Sequence, residues 1–138
     1  MNDKYELIAE DFVEVLGRRL FRIRSKKTFS RVAIGDKGGF VESERNLSPY
    51  GNAWVSEDAW VSGDASVSKP TDILVIGPVG SRSAYFSVIV PSGKVKVGCF
   101  EGSLDDLEKA AKERDRQDYL DLLPGIRAIV SRRQVAKE

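Results

Sequence analysis

Histidine is absent from the 138-residue chain. That one absence removes Ser-His-Asp hydrolysis, histidine acid–base catalysis and histidine metal sites together. Cysteine occurs once, at Cys99, so no disulfide can close within the chain. With no His and one Cys, a structural zinc site lacks the donors it needs, and no metal is expected. The lone cysteine, with no secretory leader signal, points to a reducing, cytoplasmic setting. No apolar run approaches the roughly 20 residues of a membrane span. Excess charge is missing as well: 22 basic residues face 21 acidic ones for a net +1. That balance gives no global electrostatic reason to expect a nucleic-acid partner. What remains is an ordinary globular composition, 41% hydrophobic and 31% charged, of a length suited to one domain or two very small ones.

The most organised stretch is Asn52–Lys69, which reads as three contiguous six-residue units: Asn-Ala-Trp-Val-Ser-Glu, Asp-Ala-Trp-Val-Ser-Gly and Asp-Ala-Ser-Val-Ser-Lys. Repeats at a fixed period build elements that bury a core only against their neighbours. The spacing predicts short strands joined by corners, with Val55 and Ala59, and Val61 and Ala65, pointing inward. Asn52, Asp58 and Asp64 should sit at the corners, where Asn and Asp tolerate left-handed backbone. Extrapolated backwards, the frame takes in Asn46 and Val41-Glu42, with Leu47 standing where Ala53 stands. Trp54 and Trp60 each follow the small position and should lie on outer faces, as a subunit interface, as cover for the preceding segment or as an aromatic ligand platform.

Upstream, residues 4–24 read as a β-hairpin turning at Gly17-Arg18, with apolar/charged alternation over Arg19–Arg24. Arg18, Arg19, Arg22, Arg24, Lys26 and Lys27 form a basic run, read either as an anion site or as the charged face of an edge strand. Val32–Gly35 reads as a short strand, Asp36-Lys37-Gly38-Gly39 as a turn, and Phe40-Val41 as the restart of a strand.

Downstream, Lys69-Pro70-Thr71 breaks the repeat. The apolar run Asp72–Gly77 predicts a central buried strand. The small-residue loop Gly77–Ser83 follows, then strands over Tyr85–Val90 and Lys94–Cys99 joined by a Pro91-Ser92-Gly93 turn. Ser103 with Asp106 approximates a capping box opening a helix to about Arg116. A second helical stretch, Tyr119–Leu123, should stop at Pro124-Gly125, with a third over Ile126–Arg133. The predicted organisation is thus a hairpin lead-in over 1–38, the repeat over 39–69 and a three-stranded module with helices over 70–138.

Three segments together resemble a known group: Gly38-Gly39-Phe40-Val41-Glu42, Asn46-Leu47-Ser48, and Gly51-Asn52-Ala53-Trp54-Val55 with its repeats. They are similar to small bacteriophage and prophage proteins carrying a short left-handed β-helix of the hexapeptide-repeat, YdcK-like kind. Ile76-Gly77-Pro78-Val79-Gly80-Ser81-Arg82 and Gly102-Ser103-Leu104 extend the resemblance. It implies a mainly β fold with carboxy-terminal helices, in which a left-handed β-helix stub precedes a small α+β module. It also implies threefold self-association and the cytoplasm of an infected bacterial host. Hexapeptide-repeat acyltransferases need a histidine base, so acyl transfer is excluded. The carboxy-terminal module further resembles phage anti-defence sponges that sequester nucleotide signals.

The expected function is therefore non-catalytic binding of a small anionic or nucleotide ligand, without a cofactor, with a structural scaffold as the alternative. The candidate ligand-binding residues are Gly77, Gly80, Ser81, Arg82 and Tyr85. Glycine lets backbone N–H groups approach an anion, arginine pairs with phosphate and tyrosine stacks on a base. A plain strand-to-strand turn needs the same small residues, so both readings of this loop stand. Trp54 and Trp60 are the candidate oligomer interface. Asp105, Asp106 and Glu108 are the only acidic cluster near a Gly-rich turn and read as helix-start charges. Cys99 reads as a small buried apolar residue, and Arg127, Arg132 and Arg133 as a solvated helix end.

Overall fold

The computed structural model describes residues 2–80, 83–97 and 100–136. The chain is mainly β: two four-stranded sheets, followed by two helices. The first sheet holds β1 (Tyr5–Val15), β2 (Arg18–Ser25), β3 (Lys37–Val41) and β4 (Trp60–Val61) in sequence order. The second holds β5 (Ile73–Val79), β6 (Ala84–Ile89), β7 (Lys94–Val97) and β8 (Phe100–Ser103), also in order and antiparallel throughout. Helices α1 (Leu104–Glu113) and α2 (Gln117–Ala136) close the chain.

The amino-terminal hairpin forms as expected. Leu16 and Gly17 take φ of 50° and 81° at its tip, the left-handed pair that matches the twist of a tight hairpin. Its register slips between Leu7 and Phe12. The expected strand at Val32–Gly35 does not form; Phe29 and Val32 exchange both hydrogen bonds across a tight turn instead. Nor do Gly38 and Gly39 make a turn. They lie inside β3, because a Cβ on Gly38 would meet Trp54 at 2.8 Å and one on Gly39 would meet the Ala59 carbonyl at 2.5 Å. The glycines are needed for close approach, not for positive φ.

The repeat folds as a coil around an apolar interior. Phe40 pairs with Trp60, Val41 with Val61 and Leu47 with Val67, all parallel and each twenty residues apart. Leu47, Ala53, Val55, Ala59, Val61 and Val67 are fully enclosed there. The left-handed corner residue is the one before the expected Asn or Asp: Gly51, Glu57 and Gly63 take φ of 70°, 55° and 63°. The turns are closed by Ala59 N–H to Ser56 and Ala65 N–H to Ser62. Ala65 is only partly buried, since the coil ends beside it.

Asn46 ties the layers together. Its Oδ1 accepts from the amides of Glu42 and Ser43, and its Nδ2 donates to the carbonyls of Gly63 and Ala65 at 3.2 and 2.7 Å. Asp72 repeats the accepting half, with Oδ2 taking the amides of Ser68 and Lys69 at 3.0 Å. A carboxylate has no donor to offer a next layer, and at Asp72 the chain leaves the coil for β5.

The amino terminus is strapped to the same core. Lys4 is fully buried, donating to the Ser48 carbonyl at 3.1 Å with its ammonium 5.0 Å from the Phe29 ring centre. Burial, reinforced by Lys27, pushes its pKa down to about 8. The adjacent Tyr5 hydroxyl donates to Leu47 at 2.5 Å, and burial, reinforced by Glu44, pushes it up to about 12.

The second sheet is clad on both faces. Ile73 and Ile89 join the coil core, while Phe86, Val88, Val95 and Val97 pack on Leu107, Ala111, Leu123 and Ile126 of the helices. β5 is an edge strand, not the central one its apolar run suggested, because the helices and the coil supply the cover that neighbouring strands would. β8 was not foreseen; Gly102 interrupts its pattern and lies close against Asp106. Ser103 caps α1 by accepting from Asp106 N–H at 3.0 Å, and the Asp106 carboxylate accepts from Ser103 N–H at 3.2 Å. The helix ends at Glu113, short of the expected Arg116. Pro124 does not split α2. Tyr119, Leu123, Ile126 and Val130 form one buried stripe across it, and that packing outweighs the one backbone bond a proline removes.

Candidate functional site

β-Strand alternation gives the second sheet a polar row on its coil side: Ser87, Lys96 and Glu101 lie in cross-strand register. The Trp60 amide donates to Ser87 Oγ at 2.9 Å, which fixes the coil against this row. The neighbouring row, Phe86, Val97 and Phe100, belongs to the helix side. At the end of the sheet where β6 begins and β7 ends, a cleft of about 850 Å³ opens. The hairpin contributes Val13 and Arg22, and the coil contributes Phe40, Asp58 and Trp60. The sheet adds Tyr85, Ser87, Lys96, Phe100 and Glu101; the helical region adds Leu107, Ala110, Arg114, Arg116 and Tyr119.

The charged groups are ordered by specific partners. Arg22 contacts Asp11 at 3.3 Å and Asp58 at 3.2 Å, and lies 4.2 Å over Phe40. Lys96 is 7% exposed, with Glu101 at 3.4 Å. Arg116 grips Asp118 through Nε and Nη2 at 3.2 and 3.1 Å and stacks 4.0 Å over Tyr119. Its hydrogen bonds hold the Asp118 carboxyl below the usual carboxylate range. Arg114 is exposed and forms no ion pair with a described residue. Five aromatic rings, at Phe40, Trp60, Tyr85, Phe100 and Tyr119, share the walls with these charges. Planar rings beside cations suit a flat, anionic molecule.

Of the expected site residues, Tyr85 lines the cleft. Gly77 lies against the Tyr85 ring, where a Cβ would come within 2.6 Å. Gly80, at φ 74°, sits against Arg116 and the Asp118 carboxylate. Ser81 and Arg82 lie outside the described residues, as does Cys99. Trp60 lines the cleft, whereas Trp54 packs edge-on to Phe29 at 5.5 Å, covered by the segment after the hairpin. The basic run is largely an ion-paired face: Arg18 with Glu42, Arg19 with Glu14, Arg24 with Glu6. Asp105 and Glu108 both pair with Arg127 across the helices at 2.9 Å. Arg133 donates to the Ile73 carbonyl at 3.1 Å, so this arginine tethers α2 to the sheet.

Sequence reasoning missed Lys96, Arg114, Arg116, Phe40 and Asp58 as cleft residues. Lys96 stands in a Lys-Val-Lys-Val alternation whose polar side reads as solvent-facing; nothing local shows that the coil covers it. Asp58 was seen only as a repeat corner. Among the described residues, no His, Cys, Asp or Glu group is placed to hold a metal ion, and no helix is long and apolar enough to cross a membrane. Comparison with family models, with curated proteins and with solved structures gives no match.

Proposed function

We propose that this chain is a non-catalytic, phage-type binding protein that sequesters a small anionic or nucleotide ligand in the cleft beside Trp60 and Tyr85. The lining carries the reading: aromatic side chains and four cations, Arg22, Lys96, Arg114 and Arg116, around about 850 Å³. That volume falls within the roughly 300–1,000 Å³ of small-molecule sites. Stacking on an aromatic face contributes about 1–3 kcal/mol per base. Both carboxylates in the lining, Asp58 and Glu101, already hold a cation, as a receptor would arrange them. Native mass spectrometry after incubation with mononucleotides, cyclic oligonucleotides and cyclic ADP-ribose variants tests the reading. A retained ligand, lost in Trp60→Ala, is expected; no retention across the panel overturns it.

A second reading is a scaffold, in which the coil is a left-handed β-helix stub of the hexapeptide kind that drives trimerisation in the cytoplasm of an infected host. The parallel pairing of successive passes and the inward alanines support such a coil, with two residues more per turn than three six-residue units. A stub of so few layers gains stability from partners. Sedimentation of wild type against the Trp54→Ala, Trp60→Ala double variant tests it. A trimer that dissociates in the variant is expected, and a wild-type monomer would exclude it.

A further inference from the structure

We propose that the cleft divides its cations by role: Arg114 and Arg116 form a seat for a phosphate-class anion at the corner between α1 and α2, Lys96 faces the same cleft from the coil side of the sheet, and Arg22 is a positioning residue outside that seat. The inference rests on the binding reading above and names where the charged end of the ligand goes.

Arg22 is engaged through each of its three nitrogens, two of them to carboxylates. Its Nε faces Asp11 at 3.3 Å, its Nη2 Asp58 at 3.2 Å, and its Nη1 donates to the Gly38 carbonyl at 2.8 Å. A phosphate there would meet two carboxylates, Asp11 and Asp58, whose charge repels it. What Arg22 does instead is geometric. Asp11 lies where the β1 register slips, and Asp58 is a corner of the coil. Their common partner pins the hairpin to the coil at the cleft rim.

The other three cations differ. Arg116 is anchored by two bonds to Asp118 and lies 4.0 Å over the Tyr119 ring. A guanidinium fixed in this way loses little rotamer freedom on meeting an anion. Lys96 is buried with one acceptor, Glu101, at 3.4 Å. An ammonium has three donors, so an added anionic oxygen would improve its solvation. Arg114, two positions before Arg116, pairs with no described carboxylate and supplies the positive excess.

Isothermal titration of the full chain with adenosine 5′-monophosphate and with adenosine, over a series of salt concentrations, tests the division. The nucleotide is expected to bind at least tenfold more tightly than the nucleoside. Arg114→Gln and Arg116→Gln should each weaken the nucleotide about tenfold, flatten its salt dependence and leave adenosine unaffected, because each removes a charge that meets the anion. Arg22→Lys keeps the charge and loses the fork; it should weaken both ligands by the same factor and leave the salt dependence unchanged. A flattened salt dependence in Arg22→Lys, or an unchanged one in the Arg114 and Arg116 variants, overturns the assignment. Inorganic pyrophosphate, followed by phosphorus NMR line broadening, separates the two readings. Broadening lost in Arg114→Gln without any nucleoside or nucleotide binding keeps the seat and discards the nucleotide. Equal binding of nucleotide and nucleoside keeps the ligand and discards the seat, and silence from every probe discards both.

Discussion

Between the layers of the coil the interior is filled with Ala, Val and Leu47, and with main chain; between the second sheet and the helices it is filled with Phe86, Leu107, Tyr119, Leu123 and Ile126. In the coil, backbones approach so closely that Gly38 and Gly39 have no room for a methyl group. On the helix side the layers stand apart and large side chains bridge the gap, as in the edge-to-face pair of Phe86 and Tyr119 at 4.8 Å. One region is limited by added volume and the other by removed volume. The same distinction explains why the cleft lies where the two meet: the narrow coil and the wider helical layer leave a space at the end of the sheet between them.

The sharpest way to break this comparison is Phe86→Ala. Deleting a fully buried phenylalanine should destabilise the chain by about 3–5 kcal/mol in urea unfolding. Ile73 and Ile89 of the second sheet belong to the coil core, so tryptophan fluorescence from the coil should follow the same lowered midpoint as helix circular dichroism. Separate midpoints would mean that the two cores unfold independently.

Asn46→Leu probes the coil from its polar side. It leaves the Ser43 amide without its acceptor, while the Glu42 amide keeps the Val61 carbonyl at 3.2 Å, at about 1–3 kcal/mol for the orphaned donor. Asp72→Asn should cost less, because its accepting oxygen survives; an equal loss in both would show that the coil is not read layer by layer. Gly39→Ala adds one methyl group to the coil and should cost about 1–3 kcal/mol as overpacking, whereas Gly125→Ala, with nothing within 4 Å, should be neutral or stabilising. Equal effects at the two glycines would remove the contrast in volume tolerance.

The smallest effect is a pH dependence confined to the coil. Lys4 carries a pKa lowered to about 8, so above that pH the folded state releases a proton that the unfolded chain still holds. Stability should therefore rise from about pH 8 towards the ordinary lysine value of 10.5. Tyr5, raised from 10.0 to about 12, acts in the opposite sense: its contribution is complete below pH 10 and is lost as pH climbs through 12. Melting curves should show an alkaline maximum near pH 10 that Lys4→Met flattens on its acid side; an unchanged profile would count against burial as the cause.

The hexapeptide frame was legible because its rule is local. Leu47, Ala53 and Ala59 fall inward at six-residue spacing, as do Val55, Val61 and Val67, until the coil ends beside the partly buried Ala65, and the left-handed corners at Gly51, Glu57 and Gly63 keep the same period. The capping box at Ser103 was legible for the same reason. The errors arose where a local signal met a distant partner. Gly38-Gly39 looked like a turn but is a strand pressed on the coil, and Pro124 looked like a helix stop but lies in a helix held by Tyr119, Leu123 and Ile126. Of the candidate site, Tyr85 and Trp60 were picked out, the first as a stacking residue, the second for an interface.

By itself, the sequence determined what short-range periodicity and composition can determine. These are a six-residue repeat with small aliphatic inward positions, a hairpin, a β-rich module ending in helices, and a chain without histidine or an intrachain disulfide. Only the tertiary structure decided the cleft, because its walls come from Arg22, Asp58, Trp60, Lys96 and Arg116, residues scattered over three elements and two loops. Their partners, Asp11, Glu101 and Asp118, sort them into committed and available charges. That sorting depends on distances set by packing between layers, which no spacing along the chain encodes.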